Sequence, residues 1–517
     1  MDFLGQHGRG NTVVWAIVAI IGLYLLSSVW GLPERATELV VSNLHHHAVV
    51  DEGTATSAHA VTAPPYWMVI PFVLLLGAIA VFPLLHATEH WWESNLSKFK
   101  VAAALGLVTL AYFAFLHRAP VDSHWPAHSV VEPIEGGIQT GFVAAVLGNA
   151  MLAEFVPFIV LLFSLYTIAG GIRIEGDVEA SPITNASIMA VGGTLASLVG
   201  TTGAAILLIR LLLETNRERK HVAHTVIFFI FIVCNCGGAL LPIGDPPLFL
   251  GYLEGVSFTW TLGLWREWLF VNGLLLLVYC LLDQFYFHPK ETLADIERDI
   301  TQTRRIRISG LAVNGLLLVG VVLAVGLLDP KKAVPGTAWH AWMFLREVIQ
   351  LGLVAASLHF GSKSIREKNG FNYHAIVEVA ALFLGIFVCM QPALQILAEK
   401  GQVIAASLSP AGFFWATGVL SSFLDNAPTY LVFFKAAQVP PITGATAGVE
   451  EMVLAGISLG AVFMGSMTYI GNGPNFMVKA IAEKSGVKMP SFFGYMAYSC
   501  AILLPLFALT SWRYLSM

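Results

Sequence analysis

Long, continuously apolar runs follow one another along almost the whole chain, separated by short polar segments. A helix needs roughly 20 apolar residues to cross the hydrocarbon core of a membrane. The runs lack the alternation of lipid-facing and lumen-facing residues that a barrel strand requires. The pattern therefore predicts about eleven transmembrane helices, at residues 12–31, 66–86, 101–117, 141–168, 222–241, 268–287, 309–328, 343–360, 373–398, 453–470 and 491–512.

The composition supports this prediction. Hydrophobic residues make up 56% of the 517 residues and charged residues only 12%, which is too few to cover the surface of a soluble protein of this size. The formal net charge of −5 is modest, and we expect no nucleic-acid partner and no cofactor. The expected fold is an all-α polytopic membrane protein in the lipid bilayer.

Lysine and arginine residues are concentrated in alternate loops. The segments 217–221 and 288–308 are rich in basic residues, whereas 34–63 and 118–140 contain more acidic ones. Basic loops of membrane proteins face the cytoplasm. The pattern therefore predicts a multi-pass protein of the inner membrane with a cytoplasmic N-terminus. The position of Arg9 before the first span and the length of that span favour a retained anchor, and a cleaved signal peptide is the alternative.

Two further apolar stretches, at 184–214 and 411–437, are interrupted near their middle. The first reads Ser197-Leu-Val-Gly-Thr-Thr-Gly203 and the second Ser422-Phe-Leu-Asp-Asn-Ala-Pro-Thr429. If both crossed the membrane completely, the loop charges would lie on the wrong sides. Irregular backbone at membrane depth is tolerated only where protein or a wet cavity surrounds it. We therefore predict two re-entrant hairpins.

The two halves of the chain share landmarks in the same order. The hairpin motifs lie 225 residues apart, and Ile243-Gly-Asp-Pro-Pro-Leu-Phe lies 227 residues before Ile470-Gly-Asn-Gly-Pro-Asn-Phe. The loop charges indicate that the two halves have opposite orientations in the membrane. Transporters built from inverted repeats have their substrate and ion sites near the midplane of the bilayer, where broken helices meet. The predicted division is an N-terminal anchor and external loop at 1–65, a first inverted repeat at 66–288, a cytoplasmic connector at 289–308 and a second inverted repeat at 309–517.

These motifs resemble those of the ion transporter superfamily, and specifically of the NhaD-type sodium/proton antiporters. The resemblance covers residues 66–512, and it implies a homodimer whose protomers each have a scaffold and a transport domain. The dicarboxylate branch carries a Ser-Asn-Thr hairpin motif that this chain lacks. The motifs that carry the resemblance are Gly200-Thr-Thr-Gly-Ala-Ala, His224-Thr-Val-Ile-Phe-Phe-Ile-Phe-Ile-Val, Gly244-Asp-Pro-Pro-Leu-Phe-Leu-Gly, Ser421-Ser-Phe-Leu-Asp-Asn-Ala-Pro-Thr429 and Gly471-Asn-Gly-Pro-Asn-Phe.

The hairpin and break motifs contain the oxygen ligands that sodium, a hard cation, prefers. Asp425 at a hairpin tip and Asp245 before two prolines are the principal candidates, because a charge at membrane depth seldom persists without a role. Each aspartate could instead, or in addition, cap a helix. The remaining predicted ion ligands are Asn426, Thr429, Ser422, Thr201, Thr202, Asn472 and Asn475.

Glu154 and Glu378 occupy equivalent positions in the two halves, each within an apolar run. Burial favours the protonated form of a carboxyl group, which suits a proton carrier. A structural hydrogen bond that braces the hairpin is the alternative.

The sequence thus predicts a secondary transporter that exchanges sodium for protons by competition for buried carboxylates. A sodium-coupled transporter of an anion such as a dicarboxylate, citrate or arsenite is the alternative within the same class. An intramembrane aspartyl enzyme is the alternative from another class. We expect that the protein is not an enzyme, since the sequence contains no nucleotide-binding, zinc or nucleophile motif.

Overall fold

A computed structural model describes residues 9–50, 63–292, 303–405, 407–438 and 445–516. Within these ranges the chain is predominantly helical, which confirms the predicted all-α polytopic class. The α-helices are α1 Arg9–Val29, α2 Leu32–Val50, α3 Ile70–Val81, α4 Glu89–Trp92, α5 Asn95–Phe115, α6 Thr140–Leu147, α7 Val156–Ala169, α8 Pro182–Val199, α9 Thr201–Thr215, α10 Ala223–Ile232, α11 Pro246–Leu253, α12 Trp265–Leu282, α13 Leu311–Leu327, α14 Leu345–Phe360, α15 Lys363–Lys368, α16 His374–Cys389, α17 Gln391–Ala405, α18 Pro410–Phe423, α19 Asn426–Ala437, α20 Glu451–Met464, α21 Gly473–Lys484 and α22 Phe492–Tyr514.

Short helical turns and strands complete the described secondary structure. The 3₁₀ turns are Tyr66–Val69, Phe82–Leu84, Cys236–Leu240, Trp260–Leu264, His288–Lys290 and Gly465–Met467, and the π-helical turns are Gly148–Phe155 and Asp283–Phe287. The strands pair in three antiparallel ribbons: β1 Val121–Ser123 with β2 Ser129–Val131, β3 Arg173–Asp177 with β4 Arg304–Ser309, and β5 Ala445–Thr446 with β6 Val449–Glu450.

In the described part of the chain, seven helices are long and apolar enough to cross a membrane, or eight if α16 and α17, bent by 44° at their junction, form one span. The predicted spans at 66–86, 309–328 and 453–470 are shorter apolar helices. The predicted span at 343–360 is the 16-residue α14, which buries Arg346, Glu347 and Gln350. The structure therefore confirms multiple apolar helices but not the predicted number of about eleven spans.

Both predicted hairpins consist of two helices that pack against each other, α8 with α9 and α18 with α19. The first is interrupted at Gly200, whose φ of 81° favours glycine. The second is interrupted at Leu424 and Asp425. Each pair begins alike, because the Ser181 hydroxyl caps α8 and the Ser409 hydroxyl caps α18, each followed by proline. The re-entrant course through the membrane stays a prediction.

The chain divides into two compact units. The first contains Met1–Leu75, Leu85–Gly171 and Gly310–Glu399, and the second contains Leu76–Leu84, Ile172–Ser309 and Lys400–Met517. Each unit therefore takes segments from both predicted repeats, and the repeat boundaries themselves stay a prediction.

The first unit is held together by close packing of aromatic and small residues. Phe158 of α7 stacks on Phe383 of α16, with ring centroids 4.7 Å apart. Helices α5 and α16 also lie very close, since a Cβ at Gly385 would lie 2.7 Å from the Cβ of Ala102. A larger residue at 385 would force the helices apart.

The second unit buries an ion pair that the loop charges did not predict. Arg219, from the basic segment 217–221, is only 8% exposed. Its Nη1 donates to Asp283 Oδ2 at 2.9 Å, and His224 Nε2 lies 3.0 Å from Asp283 Oδ1. The Tyr279 hydroxyl donates to the same carboxylate at 3.1 Å. One of the basic residues that indicated a cytoplasmic loop is thus a buried structural contact.

We expect single cysteines in a cysteine-free background to report the topology. Arg217 and Glu450 are both exposed, so R217C should react with an impermeant thiol reagent only from the cytoplasmic side and E450C only from the opposite side. The physical reason is that a hairpin returns the chain to the face from which it entered. Labelling of both cysteines from one side would contradict the predicted inverted arrangement.

Candidate functional site

Asp245 lies at the end of an irregular segment between α10 and α11. Helix α10 ends at Ile232, and α11 cannot begin earlier than Pro246 without losing backbone hydrogen bonds at two prolines. Asp245 occupies the N-cap position of α11, but its side chain accepts no capping hydrogen bond. The carboxylate is therefore available for contacts outside its own helix.

Three neutral side chains donate to the Asp245 carboxylate. Thr201 Oγ1 donates to Oδ1 at 2.9 Å, Asn472 Nδ2 to Oδ1 at 3.1 Å and Asn426 Nδ2 to Oδ2 at 2.6 Å. Asp245 is 1% exposed. Four of the predicted ion ligands thus converge on one point in the second unit, although they lie far apart in the chain.

The residues around Asp245 occupy corresponding positions in the two halves. Thr201 opens α9 and Asn426 opens α19, at the same offset as the aligned hairpin motifs. A second correspondence is a hydrogen bond from each hairpin to a break: Ser197 Oγ donates to Gly237 O at 2.6 Å, and Ser422 Oγ to Met464 O at 3.2 Å. Both hairpins are therefore anchored to irregular backbone in the same way.

Asn235 is a site residue that the sequence analysis missed. It is fully buried, and its Oδ1 accepts from Asn472 Nδ2 at 3.3 Å. Its Nδ2 donates to Asn475 Oδ1 at 2.8 Å. Asn475 in turn donates to the backbone oxygens of Gly465 and Thr468, at 2.8 and 2.9 Å. The available signal was a single amide side chain between Cys234 and Cys236 in an otherwise apolar run.

Asp425 is half-buried and caps α19, because its Oδ1 accepts from the Ala427 N–H at 3.1 Å. The Thr429 hydroxyl donates to the Asp425 backbone oxygen at 3.0 Å. In the structure this carboxylate therefore caps a helix, which is the alternative role considered above. A capping carboxylate keeps acceptor capacity on its second oxygen, so the cap leaves a role in ion binding open.

The remaining predicted ligands differ in whether they have an oxygen available to bind a cation. Asn426 Oδ1 is buried and has no hydrogen-bond partner among the described residues. The Ser422 hydroxyl donates within its own hairpin, to Gly418 O at 2.8 Å. Thr202 is half-buried in the first turn of α9. Asn426 Oδ1 is therefore the neutral oxygen best placed to accept a cation beside Asp245.

The predicted proton carriers Glu154 and Glu378 belong to the first compact unit. Glu154 is 8% exposed, lies on the π-helical turn Gly148–Phe155, and its Oε1 is 3.5 Å from Gln391 Nε2. Glu378 forms an ion pair with Lys98, itself 5% exposed. The two equivalent positions in sequence thus have different electrostatic surroundings.

The described residues contain no group of three or more His, Cys, Asp or Glu side chains that could hold a metal ion. The groups around Asp245 are amides and a hydroxyl, and no lysine or arginine contacts Asp245 or Asp425 in the described structure. The oxygens that this site offers to an ion are those of the two aspartates and Asn426 Oδ1, and oxygen ligands suit a hard cation rather than a transition metal.

Comparison with known proteins agrees with this architecture. Residues 61–515 match the family described as "Putative citrate transport". No curated protein matches the chain significantly. The match to the citrate-transport family places the chain in the ion transporter superfamily, as its motifs predicted, although not specifically in the NhaD-type branch. The chain therefore belongs to this citrate-transport family and is a multi-pass membrane protein of the secondary transporter class.

Proposed function

We propose that the protein exchanges sodium ions for protons across the inner membrane, with Asp245 as the principal shared ligand. The observation that carries this proposal is a carboxylate only 1% exposed whose partners are all neutral. A buried charge without a counter-ion is unfavourable by several kcal/mol, on the order of the penalties seen for unpaired ions. The carboxylate is relieved of that penalty by binding either a proton or a cation.

Competition between these two species couples their movements. When sodium occupies the site, it occupies the oxygens that would otherwise hold a proton, and protonation removes the negative charge that attracts sodium. Asp425 supplies the second carboxylate. Asn426, which follows Asp425 in sequence and donates its Nδ2 to Asp245, supplies a neutral oxygen, Oδ1. Glu154 is a further candidate proton carrier in the first unit.

The resemblance and the two compact units also support a proposal for the domains and the orientation of the protein. The second unit, which contains both aspartates, would be the transport domain, and the first unit would be the scaffold of a homodimer. The proposed orientation has the N-terminus in the cytoplasm.

Sodium-coupled citrate transport is the second candidate: the family match is described as "Putative citrate transport", and the sodium coupling comes from the predicted ion ligands. Citrate carries several negative charges and requires cationic groups or helix N-termini at its site. The two aspartates would repel it unless bound sodium neutralised them. The N-termini of α9, α11, α19 and α21 do meet at Asp245 and would favour an anion. The preference for cation exchange therefore rests on the two aspartates, which no lysine or arginine contacts in the described structure.

An aspartyl enzyme has less support. In such an enzyme the two catalytic carboxyl groups lie about 3 Å apart and share one proton. Asp245 instead forms its hydrogen bonds with Thr201, Asn426 and Asn472, and none with Asp425. The family match is to transporters.

The pH dependence of sodium affinity tests the proposal. We expect log apparent sodium affinity to rise with pH, by about one decade per pH unit for each proton displaced, and to flatten once no proton remains to be released. Proteoliposomes with an internal pH dye would measure proton flux after addition of sodium, lithium, potassium, citrate or arsenite. Calorimetry in buffers of different ionisation enthalpy would count the protons directly.

The control is protein-free liposomes given the same salts. Zero protons released by sodium throughout the working pH range would contradict the competition mechanism. Citrate uptake that requires sodium, with citrate strengthening sodium binding, would favour the second candidate.

A further inference from the structure

The second helix break contains a hydroxyl group that no motif singled out. Thr468 is fully buried, in the irregular segment between α20 and α21. Its Oγ1 donates to the backbone oxygen of Ser422, which lies three residues before Asp425 in the second hairpin. The same Oγ1 accepts from the N–H groups of Ile470 and Gly471, at 3.2 and 3.1 Å.

One hydroxyl thus joins the irregular second break to the last turn of α18, just before the interruption of the hairpin that carries the site. On one side is the hairpin backbone that leads to Asp425 and Asn426. On the other side is the backbone that leads to Asn472, which donates to Asp245. The backbone oxygen of Thr468 also accepts from Asn475 Nδ2 at 2.9 Å. Every hydrogen-bonding capacity of this hydroxyl is satisfied by backbone that positions a candidate ligand.

The corresponding position in the first half has no such group. At the offset of the aligned breaks, Leu241 takes the place of Thr468. In that half the hairpin reaches the break through the Ser197 hydroxyl, which donates to Gly237 O at 2.6 Å, and through the Thr201 N–H, which donates to Gly244 O at 2.9 Å. The bond from a break hydroxyl to hairpin backbone that Thr468 makes has no counterpart at the aligned Leu241.

We propose that Thr468 is a positioning residue of the cation site, which holds the second hairpin and the second break at a fixed separation so that their oxygens converge on one ion. The inference rests on the proposed function. A bound ion requires its ligands within a few tenths of an ångström, and irregular backbone is not held by a helix ladder. The hydroxyl supplies a constraint on this backbone, in addition to the bond from Ser422 Oγ to Met464 O.

Two substitutions separate the hydroxyl from its methyl group. T468V keeps the shape but removes both the donor and the acceptor, which leaves the Ser422 oxygen and two N–H groups without this partner. T468S keeps the hydroxyl and loses only the methyl group. We expect T468V to raise the half-saturating sodium concentration by about tenfold, in line with the loss of buried hydrogen bonds, with a smaller change in maximal rate. T468S should remain within about twofold of wild type.

The measurements are sodium-driven proton flux in proteoliposomes and sodium binding to purified protein, together with thermal unfolding. A purely structural role would lower thermal stability and leave the half-saturating sodium concentration unchanged, which would overturn the proposal. Equal impairment of T468V and T468S would also overturn it, because the methyl group would then be responsible. If wild type shows no sodium response, the proposed function fails and this inference fails with it. A wild-type response that T468V retains in full overturns this inference alone.

Discussion

Replacing Asp245 by asparagine should abolish sodium-dependent proton exchange, with a decrease on the order of a hundredfold or more, as expected when a buried charged ligand is lost. The variant keeps the size of the side chain but removes the charge that attracts sodium and the oxygen that accepts a proton. Its amide oxygen can still accept from Asn426. Its amide nitrogen would face Thr201, whose hydroxyl can reorient to accept, and Asn472, which cannot.

The donor-to-donor contact with Asn472 should cost about 1–3 kcal/mol, but the variant also removes an unpaired buried charge, which offsets that cost. We therefore expect the folded protein to be retained, as measured by thermal unfolding and size-exclusion chromatography. D177N is a suitable control, because Asp177 is also a buried carboxylate of the second unit, 3.6 Å from Arg304 and outside the site. Full proton release by D245N would show that Asp245 is not the shared ligand.

The second large effect is expected at Asp425, where a charge and a helix cap must be told apart. Asparagine and serine cap helices about as well as aspartate, whereas alanine does not. If the charge at Asp425 binds sodium, D425N, D425S and D425A should all lose exchange, by about tenfold or more. If the contact with the Ala427 N–H is the whole role, only D425A should be impaired.

Proton flux on sodium addition and thermal unfolding should be measured for all three variants. Ser409 gives a control for capping alone, because its hydroxyl caps α18 and lies at the opposite end of the same hairpin. S409A should lower thermal stability without a change in sodium affinity. Exchange that persists in D425N and D425S would assign Asp425 to capping and leave Asp245 as the only aspartate of the site.

Sequence reasoning identified much of the candidate site because polar groups are costly in an apolar chain. Asp245, Thr201, Asn426 and Asn472 each stood out at an interruption of an apolar run, and the structure brings all four together. Asn235 and Thr468 were missed although they are equally buried. A single amide or hydroxyl inside an apolar run is also common as a structural side chain, and no local pattern distinguishes the two cases.

The charge pattern of the loops did not predict which individual basic residues are buried. Arg219 lies in the basic segment that predicts a cytoplasmic loop, and Lys98 lies just before the predicted span at 101–117, yet both are buried in ion pairs, with Asp283 and Glu378 respectively. Their partners lie 64 and 280 residues away in the chain. A charged residue near the end of an apolar run is solvated or paired according to what packs beside it.

The sequence by itself determined the class of membrane protein and the places where helices break, but not the number or the length of the spans. These features follow from local physics: the length of an apolar run, and prolines or glycines that end a helix. Only the tertiary structure decided that both hairpins and both breaks reach the Asp245 carboxylate, that Glu154 and Glu378 belong to the other compact unit, and that Thr468 joins the second break to the end of α18. Contacts between residues 44 to 227 positions apart depend on how helices pack, which no local pattern encodes.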